Sequence, residues 1–111
     1  MSRGRVAKGH GGVARKTVTV RNQRGLHARA AAQFVKVGGR YDAEISVTKD
    51  GVTVPALSIL GLMMLAAGPG ARLLLRARGP DAREALAALA RLVAQGFDEH
   101  AGERSRSGGT K

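Results

Sequence analysis

A chain of 111 residues, 43% hydrophobic but only 3% aromatic, suits one small domain whose core must be filled by aliphatic side chains and alanine. The lack of cysteine excludes a disulfide, a thiolate nucleophile and a cysteine metal site. The net charge of +11 invites polyanionic partners, yet five of the basic residues lie in residues 1–16, which hold no acid and read as a basic, Gly-rich flexible leader.

That leader lacks the apolar stretch of a secretory signal. The longest apolar run, residues 59–67, is interrupted by Gly61 and is too short to span a bilayer. The expectation is a soluble, cytoplasmic chain with a leader (residues 1–16), one folded domain (residues 17–98) and a flexible polar tail (residues 99–111).

From Thr17 the sequence TVTVRN alternates, with Val18 and Val20 on one side, as in a half-buried strand. Gly25 supplies a turn. Ala31, Phe34, Val35 and Gly38 then recur at helical spacing, so a helix runs from Ala28 and stops at Gly38-Gly39. Residues 41–48 alternate again, with Ala43, Ile45 and Val47 inward. Lys49-Asp50-Gly51 is hairpin chemistry, and Val52 to Ala56 returns as a short strand that Pro55 helps to end.

Ser58 is placed as the N-cap of a short helix. Ile59, Leu60, Leu62, Met63, Met64 and Leu65 cover nearly every side of it, although Leu62 and Leu65 suffice to reach a core, so the remainder predicts an apolar patch for a partner. After Gly68-Pro69-Gly70, residues 71–78 form a strand with Ala71, Leu73, Leu75 and Ala77 inward and Arg72, Leu74, Arg76 and Arg78 outward. Asp81 and Glu84 form a D-x-x-E capping box, and Ala85, Leu86, Leu89, Leu92 and Val93 give the last helix its buried stripe, ended by Gly96. The order strand, helix, strand, strand, helix, strand, helix predicts an α+β open-faced two-layer sandwich, a four-stranded antiparallel sheet with three helices on one face.

The residue with chemical promise is His27, at the junction of loop and helix. The first N–H groups of a helix point outward, favour negative charge and disfavour an imidazolium; they also form a ready seat for a phosphoryl group. Arg29 can set a guanidinium beside phosphate oxygens. A histidine at a helix start is more often a surface polar residue, so spacing alone does not make it functional. His10, His27 and His100 lack the spacing of a metal site. No pair of acids suits general acid–base work, and no G-x-x-x-x-G-K-S/T loop occurs.

The segment GLHAR, followed by small residues and then FV, resembles the active-site segment of HPr, the histidine-containing phosphocarrier family of the bacterial phosphotransferase system. The resemblance extends from about Thr17 to Asp98 and includes VPALSILGLMML, similar to the family's regulatory-serine helix with Ser58 at the serine position. It implies that His27 accepts a phosphoryl group on its δ nitrogen from enzyme I, charged by phosphoenolpyruvate, and passes it to an enzyme IIA-type domain, with Arg29 as phosphate partner. It further implies Ser58 as a site for a serine kinase, Ile59, Leu60 and Met63 as a docking face, no cofactor, and a carrier rather than an enzyme. The recipient belongs either to sugar uptake or to a regulatory branch of nitrogen or carbon metabolism. A monomer suits such transient docking. The chain departs from the family at Ala30, where proline is usual, and at Leu57, where a basic residue is usual.

The alternative is a small basic RNA-binding module, which shares the strand–helix–strand–strand–helix–strand order. Such modules stack bases on sheet aromatics. The outward positions of the first and third strands, Thr17, Thr19, Arg21 and Thr53, include none, and nucleic acid falls to second place.

Overall fold

The computed structural model of the chain describes residues 12–98. Four strands, β1 (Val13–Thr19), β2 (Glu44–Lys49), β3 (Val52–Pro55) and β4 (Arg72–Arg78), alternate with three helices, α1 (Ala28–Gly38), α2 (Ile59–Met64) and α3 (Ala82–Ala94). The sheet is antiparallel throughout in the order β1-β4-β2-β3, and the helices cover one face, as the α+β open-faced sandwich requires.

The alternation of the strands decides which face is covered. Val18, Ile45, Val47, Leu73, Leu75 and Ala77 are buried on the helix side, where they meet Ala30, Ala31 and Phe34 of α1 and Ala85, Leu86, Leu89 and Val93 of α3. Fully buried alanines on α1 and α3 let the helices sit close to the sheet without large aromatic side chains. The β2–β3 hairpin closes as expected. Lys49 pairs with Val52, and Asp50 and Gly51 both have positive φ, the signature of a two-residue I′ turn matched to strand twist.

Two expectations are corrected. Strand β1 begins at Val13, so residues 13–16, assigned to the leader by composition, pair with Leu75–Arg78 of β4. The polar run Ala-Arg-Lys hides a strand because its ladder partner lies some sixty residues away; the rest of the expected leader, and the tail from residue 99, lie outside the described residues. The capping box at α3 does not form: the Asp81 carboxylate makes no cap hydrogen bond, because its Oδ2 accepts the Asp42 N–H at 2.8 Å. The Asp81 N–H in turn donates to the Asp42 carbonyl at 3.0 Å, tying the approach to β2 to the start of α3. The central strands of the sheet are β4 and β2. Their outward residues, Arg72, Leu74, Arg76, Arg78, Glu44, Ser46 and Thr48, also contain no aromatic ring.

Candidate functional site

The loop that delivers His27 is built by Asn22 and Gly25. Asn22 is fully buried; its Nδ2 donates to the Gly25 carbonyl at 2.9 Å, and the Gly25 N–H returns to the Asn22 carbonyl at 3.2 Å. Gly25 has φ +64°, and a Cβ there would overlap the Ala67 carbonyl oxygen. The next residue, Leu26, is buried and donates its N–H to that same carbonyl at 2.9 Å. Two consecutive residues are thus pressed against the backbone that follows α2, and His27 emerges from this junction.

His27 is the N-cap of α1, with extended backbone (φ −75°, ψ 179°), and is half-buried. Its carbonyl accepts the first helical hydrogen bond, from Ala31 N–H at 2.8 Å, so the N–H groups of Ala28, Arg29 and Ala30 precede the first i→i−4 bond. The imidazole makes no cap bond to the helix. There is no acid in the first turn of α1, and Arg29 is exposed there, so the local field is positive where an anion would arrive. Ala30 is fully buried against the core and sits without distortion in the first turn, where alanine is a good helix former.

Ser58 caps α2 as expected. Its Oγ accepts the Gly61 N–H at 2.9 Å. Ser58→Ala is therefore expected to lower stability by about 0.5–2 kcal/mol in a denaturant titration, with the fold retained. Of the helix it starts, only Leu62 is buried within its span and Leu65 just beyond it; Leu57, Ile59, Leu60, Met63 and Met64 are exposed, Leu60 at 69% and Met64 at 74%. The apolar patch read from the sequence is real and wider than its three named members, Ile59, Leu60 and Met63. The run's excess of apolar residues already included Met64, whereas Leu57, which precedes the run, was not part of that reading.

The two helices run in opposite directions. Ala67, just past the C-terminal end of α2, touches the loop before α1, whereas Leu57, just before α2, lies 3.6 Å from the Cβ position of Gly38 at the far end of α1. The structure therefore brings His27 and Arg29 near the methionine end of the patch and places Ser58 at the other end, about 9 Å farther along a six-residue helix. Arg24, not singled out by the sequence reading, is exposed in the same loop as His27. Among the described residues no group of three or more His, Cys, Asp or Glu side chains could hold a metal, and no helix is long and apolar enough to cross a membrane.

An open-faced sandwich whose first helix is headed by a histidine, next to an exposed apolar helix, defines the class of small domain at hand. The family model of the PTS HPr component phosphorylation site matches residues 14–95, and the chain belongs to that HPr family. It is 42% identical over 84 residues to phosphocarrier protein HPr of Cupriavidus necator, covering 76% of this chain and 94% of that protein. It is equally 42% identical over 84 residues to phosphocarrier protein NPr of Shewanella violacea, covering 76% and 92%. Among solved structures, HPr-C-His of Thermoanaerobacter tengcongensis superposes with a TM-score of 0.75 at 40% identity over 78% of this chain and 97% of that one.

Proposed function

We propose that this HPr-family chain is a phosphocarrier whose His27 accepts a phosphoryl group from enzyme I and delivers it to an enzyme IIA-type domain. The observation that supports it is the His27 N-cap: an imidazole held at a helix start whose Ala28, Arg29 and Ala30 N–H groups precede the first helical hydrogen bond. As the lone pair of one ring nitrogen, the δ nitrogen by family resemblance, forms a bond to phosphorus, the bond holding the phosphoryl group on enzyme I breaks. The helix N–H groups and Arg29 then stabilise the charge on the phosphate oxygens. Transfer to the recipient reverses these steps on another acceptor. The chain supplies position and charge, and needs no cofactor for either step. A cytoplasmic monomer fits this role.

The apolar face of α2 serves both encounters. Each partner must present its phosphorylated residue to His27 while burying the exposed Ile59, Leu60, Met63 and Met64. Ser58 is a regulatory site in this reading, and its position supports an effect on docking. A phosphate there adds about −1.5 to −2 charges at the end of α2 remote from His27, a distance at which screening at physiological salt, with a Debye length of about 8 Å, weakens any direct effect. It therefore acts on docking. Ser58→Asp is expected to slow transfer from enzyme I at unchanged thermal stability, mainly through a raised KM; a wild-type rate would leave Ser58 a cap alone.

The direct test uses the full chain, enzyme I and radiolabelled phosphoenolpyruvate. The expected result is one acid-labile phosphoryl group per chain, lost on addition of an enzyme IIA-type domain. Failure to take up label from active enzyme I sinks the proposal. Recipient domains from the sugar and the nitrogen-regulatory branches, compared side by side, identify the branch by the faster transfer.

A further inference from the structure

The face of the sheet opposite the helices carries a feature that phosphoryl transfer at His27 does not use. A shallow groove of about 520 Å³ crosses it, within the size range of small-molecule sites. Its floor follows the strand register. Arg15 of β1 stands directly opposite Arg76 of β4, which stands opposite Ser46 of β2; in the adjoining row Arg78 lies between Val13 and Glu44. Thr53 and Pro55 complete the β3 side.

Like charges placed directly opposite on neighbouring strands destabilise a sheet. Here two guanidinium groups face each other and a third follows two residues along β4, about 6.8 Å away. Among the described residues, none of Arg15, Arg76 and Arg78 is held in an ion pair or a side-chain hydrogen bond. Glu44 is the one acid in the groove and faces Arg78, leaving the Arg15–Arg76–Ser46 row with cationic forks and a hydroxyl but no anion.

We propose that this groove binds a phosphorylated small molecule of about nucleotide size, with a phosphate seated between Arg15 and Arg76 and within reach of the Ser46 hydroxyl. The planar guanidinium fork matches phosphate oxygens in pairs, and an anion between the two arginines turns their repulsion into joint attraction. Val13 at the β1 edge and Pro55 at the β3 edge add apolar surface at the two sides of the groove, which suits the uncharged part of the ligand. Three alternative occupants fit less well. The chain's own N-terminal residues 1–11 are basic and are repelled. A single strand of nucleic acid finds no aromatic ring on which to stack its bases. A duplex requires a continuous cationic track, which Glu44 interrupts.

The test is a titration of the isotopically labelled full chain with sodium tripolyphosphate and, separately, with ATP, at 150 mM salt, followed by amide and Arg side-chain chemical shifts. Saturable shifts centred on Arg15, Ser46 and Arg76 are expected. Arg76→Ala should weaken binding at least tenfold and Arg76→Lys nearly as much, with phosphoryl uptake by His27 unchanged in both. Shifts that never saturate, shifts confined to the start of α1, or Arg76→Ala binding as tightly as wild type would overturn the proposal. So would a duplex oligonucleotide that binds the same face more tightly than either probe.

Discussion

Replacing His27 by alanine is expected to abolish phosphoryl uptake from enzyme I completely while leaving a folded protein. His27 is half-buried, and the extended backbone of its N-cap position is open to alanine, so the change in stability should stay within about 1 kcal/mol. The reaction, by contrast, has lost its nucleophile, and no other described histidine stands in for it. Arg29→Ala provides the graded comparison. It keeps the acceptor but removes a charged hydrogen-bond donor worth roughly 1.5–3 kcal/mol, so transfer should slow by about one to two orders of magnitude. Acid-labile phosphate measured beside circular dichroism distinguishes the cases. Undiminished label on the His27→Ala protein would assign the acceptor elsewhere.

Gly25→Ala is expected to damage both stability and transfer, for a reason that lies outside the site itself. A left-handed backbone costs a non-glycine residue about 1–3 kcal/mol. The new Cβ would also collide with the Ala67 carbonyl oxygen, backbone that cannot swing aside as a side chain does, and such overpacking adds about 1–3 kcal/mol. Relief requires the loop to lift away from Ala67, breaking the Leu26 N–H bond to the same oxygen and shifting His27 against α2. A displacement of about 1 Å at a reacting group can cost about a hundredfold in rate. The expected result is a midpoint of urea unfolding lowered by a loss of roughly 2–6 kcal/mol, with transfer reduced even well below that midpoint. A variant that unfolds like wild type and transfers at full rate would show that the contact with Ala67 does not position the histidine.

What the sequence disclosed and what it concealed follow a physical divide. Local patterns were legible: α1 begins at Ala28 and ends at Gly38 because periodicity, a leading glycine turn and a trailing Gly-Gly all agree, and Ser58 caps α2 because its N–H partner is three residues away. Non-local choices were not. The carboxylate of Asp81 had a helix N–H within easy reach but is engaged by Asp42, 39 residues earlier. Strand β1 takes in Arg15 and Lys16 only because β4 offers a ladder. Beyond Gly96, where the last helix was expected to end, Phe97 is buried: Gly96, Phe97 and Asp98 all adopt positive φ and fold this segment back onto α3. Of the site, His27 and the apolar helix were legible as residues, whereas the opposed directions of α1 and α2, which separate Ser58 from His27, required the structure.

The placement of basic residues on β1 bears on how copies of this protein behave toward one another. A sheet of four strands has two open edges, and an unpaired edge is a template on which a neighbouring chain can add a strand and begin aggregation. Strand β3 offers four residues and ends in a proline, a poor template. Strand β1 is longer, seven residues with Val13 largely exposed, but Arg15 and Lys16 stand in its middle. Two molecules approaching edge to edge along β1 bring these cations against each other before any hydrogen bond can form. The guard is electrostatic and therefore conditional. At 1 M salt, where the Debye length shrinks to about 3 Å, it is largely screened, and concentrated stocks of the protein are expected to keep best in dilute buffer.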